Sequence, residues 1–378
     1  MNYDFIAFID SLGILQGLLL GTILISAHAR KNKAVRYLGA FIIVFSLEPI
    51  NNVLEELQIL NQYPKLSLLP VSFHFLAYPL FYIYIQRISI LEYKKASYWT
   101  LYPGILETVL GIALFFLPTA TKLAIKNSNA GVIYFSIGLL YTFFILFLTL
   151  KWLHQHRREV ENQFSYLVKR QLKWSQFFIY ASIVFHLMLL AHHLFNNHNL
   201  YLIVSIVNII LIYWISYQGF QQQAIASLYD ATHLGLPLDK MTPKGNGSLV
   251  KTAHKKNSDL LSIDEDQDTL NIVQEYIINS KCFTRDDLTI IDVAEAVNIH
   301  PKRISRCINS LLGVNFNNYI NSYRIEYAKE LFKSEASKNL TIEGIGIESG
   351  FRSKTTFYSA FNKIEGTTPA NYIGRLKN

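Results

Sequence analysis

The sequence predicts an all-α chain in three parts. These are a seven-helix transmembrane bundle over residues 1–220, a flexible linker over 221–269, and a C-terminal module of two helix-turn-helix units over 270–378. Three observations carry this reading. Of the 378 residues, 51% are hydrophobic and only 16% are charged, against roughly 25% charged in soluble globular chains. Charge is placed unevenly: residues 1–220 hold 16 Lys+Arg and 9 Asp+Glu, and the rest hold 19 and 18. The apolar pattern also changes, from unbroken runs to short amphipathic helices. With 25 Phe and 23 Tyr the chain is not disordered throughout, and 2 Cys exclude a disulfide scaffold or a cysteine-rich zinc fold. A net charge of +8 suits nucleic acid or anionic lipid equally.

The apolar runs are Ile6–Ala27, Tyr37–Leu54, Leu66–Ile85, Tyr98–Leu117, Ala130–Leu150, Trp174–Phe195 and Leu200–Phe220. Each is about as long as a helix must be to cross roughly 30 Å of hydrocarbon, where peptide groups need internal partners. The second, with Glu48 and Pro49, departs furthest from an ideal span. The first has Asp4 and Asp10 where a signal peptide needs a basic start, so it is expected to remain in the mature protein. Alternate loops carry Arg30, Lys31, Lys33, Arg36; then Arg87, Lys94, Lys95; then Lys151, Arg157, Arg158, Lys169, Arg170, Lys173. The other loops carry only Lys65, Lys122 and Lys126. This asymmetry predicts a multi-pass protein of the cytoplasmic membrane, its N-terminus outside and everything after Phe220 in the cytoplasm.

After Phe220 come turn formers and charge without periodicity, ending in the acidic run Asp264-Glu-Asp-Gln-Asp. A flexible stretch of this length reaches roughly 35–40 Å, well past the ~8 Å screening length. A module on it can bind a polyanion away from anionic lipid.

From Leu270 the pattern is helical. Leu288, Ile291, Ala294 and Val297 form one apolar face, and Ile304, Cys307, Ile308 and Leu311 the next. Asn298 stands at the corner between them, where a left-handed backbone is required, and Pro301 falls in a first helical turn. A second unit repeats the plan: Ile342 and Ile345, a corner at Gly350, Phe351 as plug, then Phe357 and Phe361, with Ser353 as cap. Between the units, Phe316–Lys333 reads as an amphipathic helix about 27 Å long. That is close to the ~34 Å of one DNA turn, so it can hold two helices against successive major grooves.

Leu270–Leu376 resembles the AraC/XylS-family DNA-binding domain. The likeness lies in Ile345-Gly-Ile-Glu-Ser-Gly-Phe-Arg-Ser-Lys-Thr-Thr-Phe-Tyr-Ser-Ala-Phe, in Gly366-Thr-Thr-Pro-Ala-Asn-Tyr, and in Tyr323-Arg-Ile-Glu-Tyr-Ala-Lys-Glu-Leu. With an apolar bundle ahead of it, the whole is similar to membrane-bound regulators of that family. The resemblance implies transcriptional regulation, with paired recognition helices in adjacent major grooves. Promoter DNA and RNA polymerase are the expected partners, a dimer is the expected acting form, and no cofactor is expected. Carried over by position, Lys302, Ser305 and Arg306 point to bases and Arg303 to phosphate; Ser353, Lys354, Thr355, Tyr358 and Ser359 belong to the second reading helix. Arg306 is the expected guanine reader, while Lys302 and Lys354 also suit phosphate. Two departures stand out. Gly346 replaces a usual Ala, with Gly344 nearby, which predicts a soft supporting helix at up to about 1 kcal/mol per Gly. His300 replaces a usual Ser/Thr cap.

Ionisable residues at membrane depth mark candidate functional positions: Asp10, Glu48, His74, Glu107, His186, His192 and His193. Asp10, His192 and His193 fall towards the outside and form the candidate sensor site for an unidentified small-molecule or membrane signal. No metal site is expected, and Cys282 and Cys307 read as reduced structural thiols. No nucleophile–base set or phosphate loop supports an enzyme. The alternatives are a transporter or receptor with a degenerate helical tail, or a regulator freed by proteolysis within 221–265.

Overall fold

Helices build every extended element among the residues that the computed structural model describes: 3–28, 34–91, 96–126, 128–165, 172–195, 197–233, 258–334 and 340–376. Arg30, Lys31, Lys33, Lys94, Lys95, Lys169, Arg170 and linker residues 234–257 lie outside them. The chain forms two compact units, Met1–His156 with Leu172–Pro243, and Arg157–Gln171 with Lys244–Asn378.

The first unit contains α1 (Tyr3–Ile23), α2 (Val35–Leu47), α3 (Ile50–Glu56), α4 (Ile59–Gln62), α5 (Ala77–Ile88), α6 (Tyr102–Phe115), α7 (Thr119–Lys126), α8 (Ala130–Gln163, whose last turns belong to the second unit), α9 (Lys173–Phe195) and α10 (His198–His233). Among the described residues, six helices are long and apolar enough to cross a membrane: Phe5–Ser26, Val35–Glu56, Tyr98–Phe115, Ala130–Gln163, Lys173–Phe195 and His198–Gln221. Small residues let α1 and α2 touch backbone to backbone. A Cβ on Gly21 would stand 2.8 Å from the Gly39 carbonyl, and one on Gly39 equally close to that of Gly21. Phe41, Phe45, Tyr78, Phe81, Phe178 and Phe185 pack in tilted and edge-to-face contacts within the core of this unit.

The expected third span, Leu66–Ile85, is not one membrane-length helix. Pro64–Leu66 is a 3-10 turn, Leu68 has a left-handed backbone (φ 58°), and the helix proper is the 12-residue α5. At 1.5 Å per residue α5 rises about 18 Å, short of the ~30 Å core. Pro70 cannot donate a ladder hydrogen bond, and past the break Glu107 accepts from the N–H groups of His74 (3.1 Å) and Phe75 (3.2 Å) just before α5. In an apolar surrounding, irregular backbone is tolerated only where protein satisfies it. Every α5 residue from Ala77 to Gln86 is buried.

The second unit contains α11 (Ser258–Ser280), a 3-10 turn at Cys282–Thr284, α12 (Ile290–Val297), α13 (Pro301–Leu312), α14 (Phe316–Lys333), α15 (Ile342–Glu348), α16 (Lys354–Glu365) and α17 (Pro369–Leu376). Helix thus enters the expected linker from both ends, since α10 runs to His233 and α11 starts at Ser258. Two small cores flank α14. Its Phe316, Tyr319 and Ile320 join Leu270, Val273, Val293, Ile304 and Ile308, and its Ile325, Ala328 and Phe332 join Ile345, Phe351, Phe357 and Phe361.

Candidate functional site

The two helical pairs of the second unit are closed by their own side chains. Thr289 and Asp292 form a reciprocal capping box at the start of α12: the Thr289 N–H donates to Asp292 (2.7 Å) and the Asp292 N–H to Thr289 Oγ1 (3.2 Å). Asn298 takes the left-handed conformation (φ 54°) at the corner. His300 does serve as a cap, its Nδ1 accepting from the Lys302 N–H at 3.2 Å. In the second pair Thr341 caps α15, Gly350 turns the corner at φ 94°, and Ser353 caps α16 by accepting from the Thr356 N–H. The second supporting helix forms, and Gly346 has a packing role. A Cβ there would lie 2.6 Å from the buried Phe357 ring, so the Ala usual at this place does not fit.

On α13, Ile304, Cys307 and Ile308 are buried, which leaves Lys302 and Arg306 exposed and Arg303 and Ser305 half-buried. The side chains do not simply extend into solvent. Arg306 donates from Nη2 to Asp266 at 2.7 Å, and Arg303 donates to the carbonyl and carboxylate of Glu265 at 3.2 and 3.4 Å. Arg306 beside it holds the Asp266 carboxyl below the ordinary aspartate value. One Arg306 donor is thereby used, and a guanidinium has five, so a fork remains for a base edge. On α16, Lys354, Thr355 and Ser359 are exposed while Ser353 and Tyr358 are half-buried. Lys354 lies 3.6 Å from Glu343 and over the Tyr358 ring. Tyr358 also packs on the second core, and Ser353 is occupied as a cap.

Sequence reasoning missed Arg324 of α14, which is 2% exposed. Its Nε donates to the Phe283 carbonyl and its Nη2 to that of Arg285, both at 2.7 Å. A Cβ on Gly350 would lie 2.5 Å from that same Phe283 carbonyl, so the turn after α11 supports the corner of the second pair. No composition signal separates this arginine from the surface ones.

Within the first unit, Asp10, His192 and His193 line one cavity of about 280 Å³, together with Glu48, His74 and Tyr201 among others. Asp10 is buried and accepts from Tyr201 Oη at 2.9 Å, and Asn52 donates to the same Oη at 2.7 Å. His74 lies 3.3 Å from Glu48. The His192 ring sits 4.9 Å from that of Tyr201, and the His193 ring 4.8 Å from that of Phe135. Glu107 and His186 have structural partners instead: the α5 break and the Tyr134 hydroxyl for Glu107, and the Ser182 carbonyl at 2.8 Å for His186. Ser205 and Asn208, polar interruptions of the last apolar run, also line the cavity and were legible only as interruptions. Among the described residues no cluster of three or more His, Cys, Asp or Glu is placed to hold a metal ion.

Residues 293–375 match a family model described as a helix-turn-helix domain. The chain is 30% identical over 126 residues to the uncharacterized HTH-type transcriptional regulator SACOL0084 of Staphylococcus aureus (strain COL), covering 33% of this chain and 15% of that protein. It is 34% identical over 89 residues to YisR of Bacillus subtilis (strain 168), covering 23% and 30%, and 28% identical over 86 residues to YtdP of the same organism, covering 23% and 11%. Both are likewise described as uncharacterized HTH-type transcriptional regulators. The chain spans less than a third of the length of these relatives. No solved structure matches. Residues 293–375 are thus similar to a helix-turn-helix domain, and the relatives that match part of this chain are described as transcriptional regulators.

Proposed function

We propose that the chain is a membrane-embedded one-component transcription factor. Its module binds promoter DNA in a sequence-dependent way and its bundle senses a signal. The observation that carries the DNA half is the pair of capped helices α13 and α16, each with one buried apolar stripe and a polar face of Lys302, Ser305 and Arg306 or of Lys354, Thr355 and Ser359. Arg306 reads guanine; Lys302, Arg303 and Lys354 anchor phosphate. A dimer on two half-sites, with RNA polymerase as the downstream partner, completes this reading.

Large apolar side chains that stay exposed, such as Leu15, Leu106, Leu140 and Phe147, support lipid as the solvent of the first unit. A seventh crossing is supported by the ends of α5. His74, just before it, meets Glu48 after α2, while Arg87 in its last turn donates to Tyr98, which bonds Tyr37 at the start of α2. The lead-in and α5 together therefore run the length of α2 in reverse. Seven passes with the basic loops inside put the N-terminus outside and the module in the cytoplasm. The cavity around Asp10, His192 and His193 then opens towards the outer side, and its mixed carboxylate, imidazole and hydroxyl lining suits a small polar signal molecule.

The test is to map genomic fragments that co-purify with the full chain tagged at its C-terminus. A shared motif is expected, and it should be lost with Arg306→Ala. Fragments without a motif, or unchanged by that substitution, overturn the proposal.

A further inference from the structure

We infer that residues 157–165, the end of α8 and the start of its connection to α9, are a docking strap for the helix-turn-helix module, and that the docked module cannot seat α13 in DNA. The second part rests on the DNA-binding reading above.

The strap is bonded to the module through groups about 120–160 residues away in sequence. The Ser165 N–H donates to the Leu288 carbonyl at 3.2 Å, and its hydroxyl to the same carbonyl at 2.6 Å. Asn317 donates to the Ser165 carbonyl at 2.6 Å, and Arg324 Nη2 to its hydroxyl at 3.1 Å. Phe164 pairs with Thr289 as an antiparallel bridge. Phe164, Ser165, Thr289, Asn317 and Arg324 are all buried. Buried polar groups left unpaired cost about 1–3 kcal/mol each, so the contact is a fitted surface. Without the strap, the side-chain N–H of Asn317 would lose its partner and the Arg324 guanidinium its bonds to Ser165.

One further pair sets the consequence. Asn162, in the last turn of α8, accepts from Asn309 of α13 at 3.4 Å, while Asn309 also donates to the Ser305 carbonyl at 2.7 Å. Residues three and four apart share a helix face, so Lys302, Ser305, Arg306 and Asn309 form one stripe. A major groove is about 12 Å wide and a helix with side chains about 10–12 Å across. A groove filled by α13 has no room for a second helix end held against the same stripe, so strap and duplex exclude each other. The two helices that flank the strap in sequence also line the cavity, α8 through Phe135 and α9 through His192 and His193. A ligand there touches the ends of α8 and α9 that lie farthest from the strap, so any signal would have to travel the length of both helices.

The experiment uses the full chain in lipid nanodiscs, carrying Asn162→Cys and Asn309→Cys together, with each single variant as control. Mild oxidation is expected to give an intramolecular disulfide, seen as a mobility shift, in the double variant alone. Oxidised protein should then bind the most enriched genomic duplex at least roughly tenfold more weakly than the same sample after reductant. A second probe, a duplex of arbitrary sequence at low salt, should lose affinity in the same way. Failure to form the disulfide overturns the docking, and a locked chain that binds DNA as tightly as the reduced one overturns the exclusion. A wild-type chain that binds neither duplex overturns the DNA-binding reading and with it the exclusion, while disulfide formation still decides the docking.

Discussion

Replacing Arg324 by Lys should loosen the joint between the two halves of the module, although the positive charge is kept. The guanidinium reaches the Phe283 and Arg285 carbonyls at 2.7 Å each from two different nitrogens, and lies 5.6 Å from the Phe351 ring centre. Burial lowers its pKa to about 10, so it is still a cation at neutral pH. An ammonium is a point donor at the end of a flexible stem and can satisfy about one of those two diverging carbonyls. One charge-assisted bond is worth about 1.5–3 kcal/mol, and the stranded carbonyl adds a penalty of about 1–3 kcal/mol. Relaxation recovers part of the sum, which leaves a net loss of about 2–4 kcal/mol. At about 1.4 kcal/mol per tenfold, the local opening constant should rise roughly thirty- to thousandfold. Amide hydrogen exchange on the full chain in nanodiscs reads this directly. Protection should fall in the Cys282–Thr284 turn, α14 and α15, with α6 and α9 as internal controls. If Arg324→Lys leaves protection in those segments within about threefold of wild type, the bonds do not hold the halves together and the reasoning fails.

Other outcomes follow from single contacts. Arg306→Ala should cost about 1–3 kcal/mol of discrimination between the selected duplex and one altered at its guanine, whereas Lys302→Ala should weaken both duplexes alike and lower the salt slope by about one; competition binding at several salt concentrations separates the two. Asp266 has its carboxyl pKa lowered by Arg306, so the pair's contribution is complete above the ordinary aspartate value of about 3.9 and is lost as pH falls below it through the folded value. Hydrogen exchange between α11 and α13 should therefore hold steady from neutral pH down to about pH 4 and then rise, and Asp266→Asn should remove that step. Asp10→Asn and His192→Ala should leave DNA affinity in nanodiscs unchanged while abolishing the response of a reporter promoter to the signal, measured in cells; lost DNA affinity in either would remove them from the sensor role.

The module was legible because its signals are local. A left-handed corner wants Asn or Gly, and Asn298 and Gly350 supply it at φ 54° and 94°; caps want Ser or Thr, and Ser353 and Thr341 serve. Gly346 shows where locality ends. Propensity alone marks it as a weak point, yet the missing methyl is what lets Phe357 lie against α15, a contact eleven residues away that no helix scale contains. The ion pairs of Arg306 and Arg303 were hidden for the same reason, since Asp266 and Glu265 belong to a stretch whose composition reads as linker although α11 already runs through it.

The bundle was legible in its lengths and opaque in its one interruption. Hydropathy counts Leu66–Ile85 as a span because Leu, Phe and Ile make up half of it, and the sum is insensitive to where the backbone hydrogen bonds go. In the fold that question decides the geometry. The turn at Pro64–Leu66 and the left-handed Leu68 end the ladder, and a carboxylate from another helix, Glu107, accepts the two N–H groups that the break leaves over. An acid within a long apolar run thus has two roles to choose between, ligand chemistry or repair of a broken backbone, and its own sequence neighbourhood cannot choose. Glu107 has its acceptors committed to His74, Phe75 and Tyr134 and does not line the cavity, whereas Asp10, with the hydroxyls of Tyr201 and Ser205 beside it, does. That difference in placement, visible only once the fold is known, is what makes Asp10 and not Glu107 the acid to test for sensing.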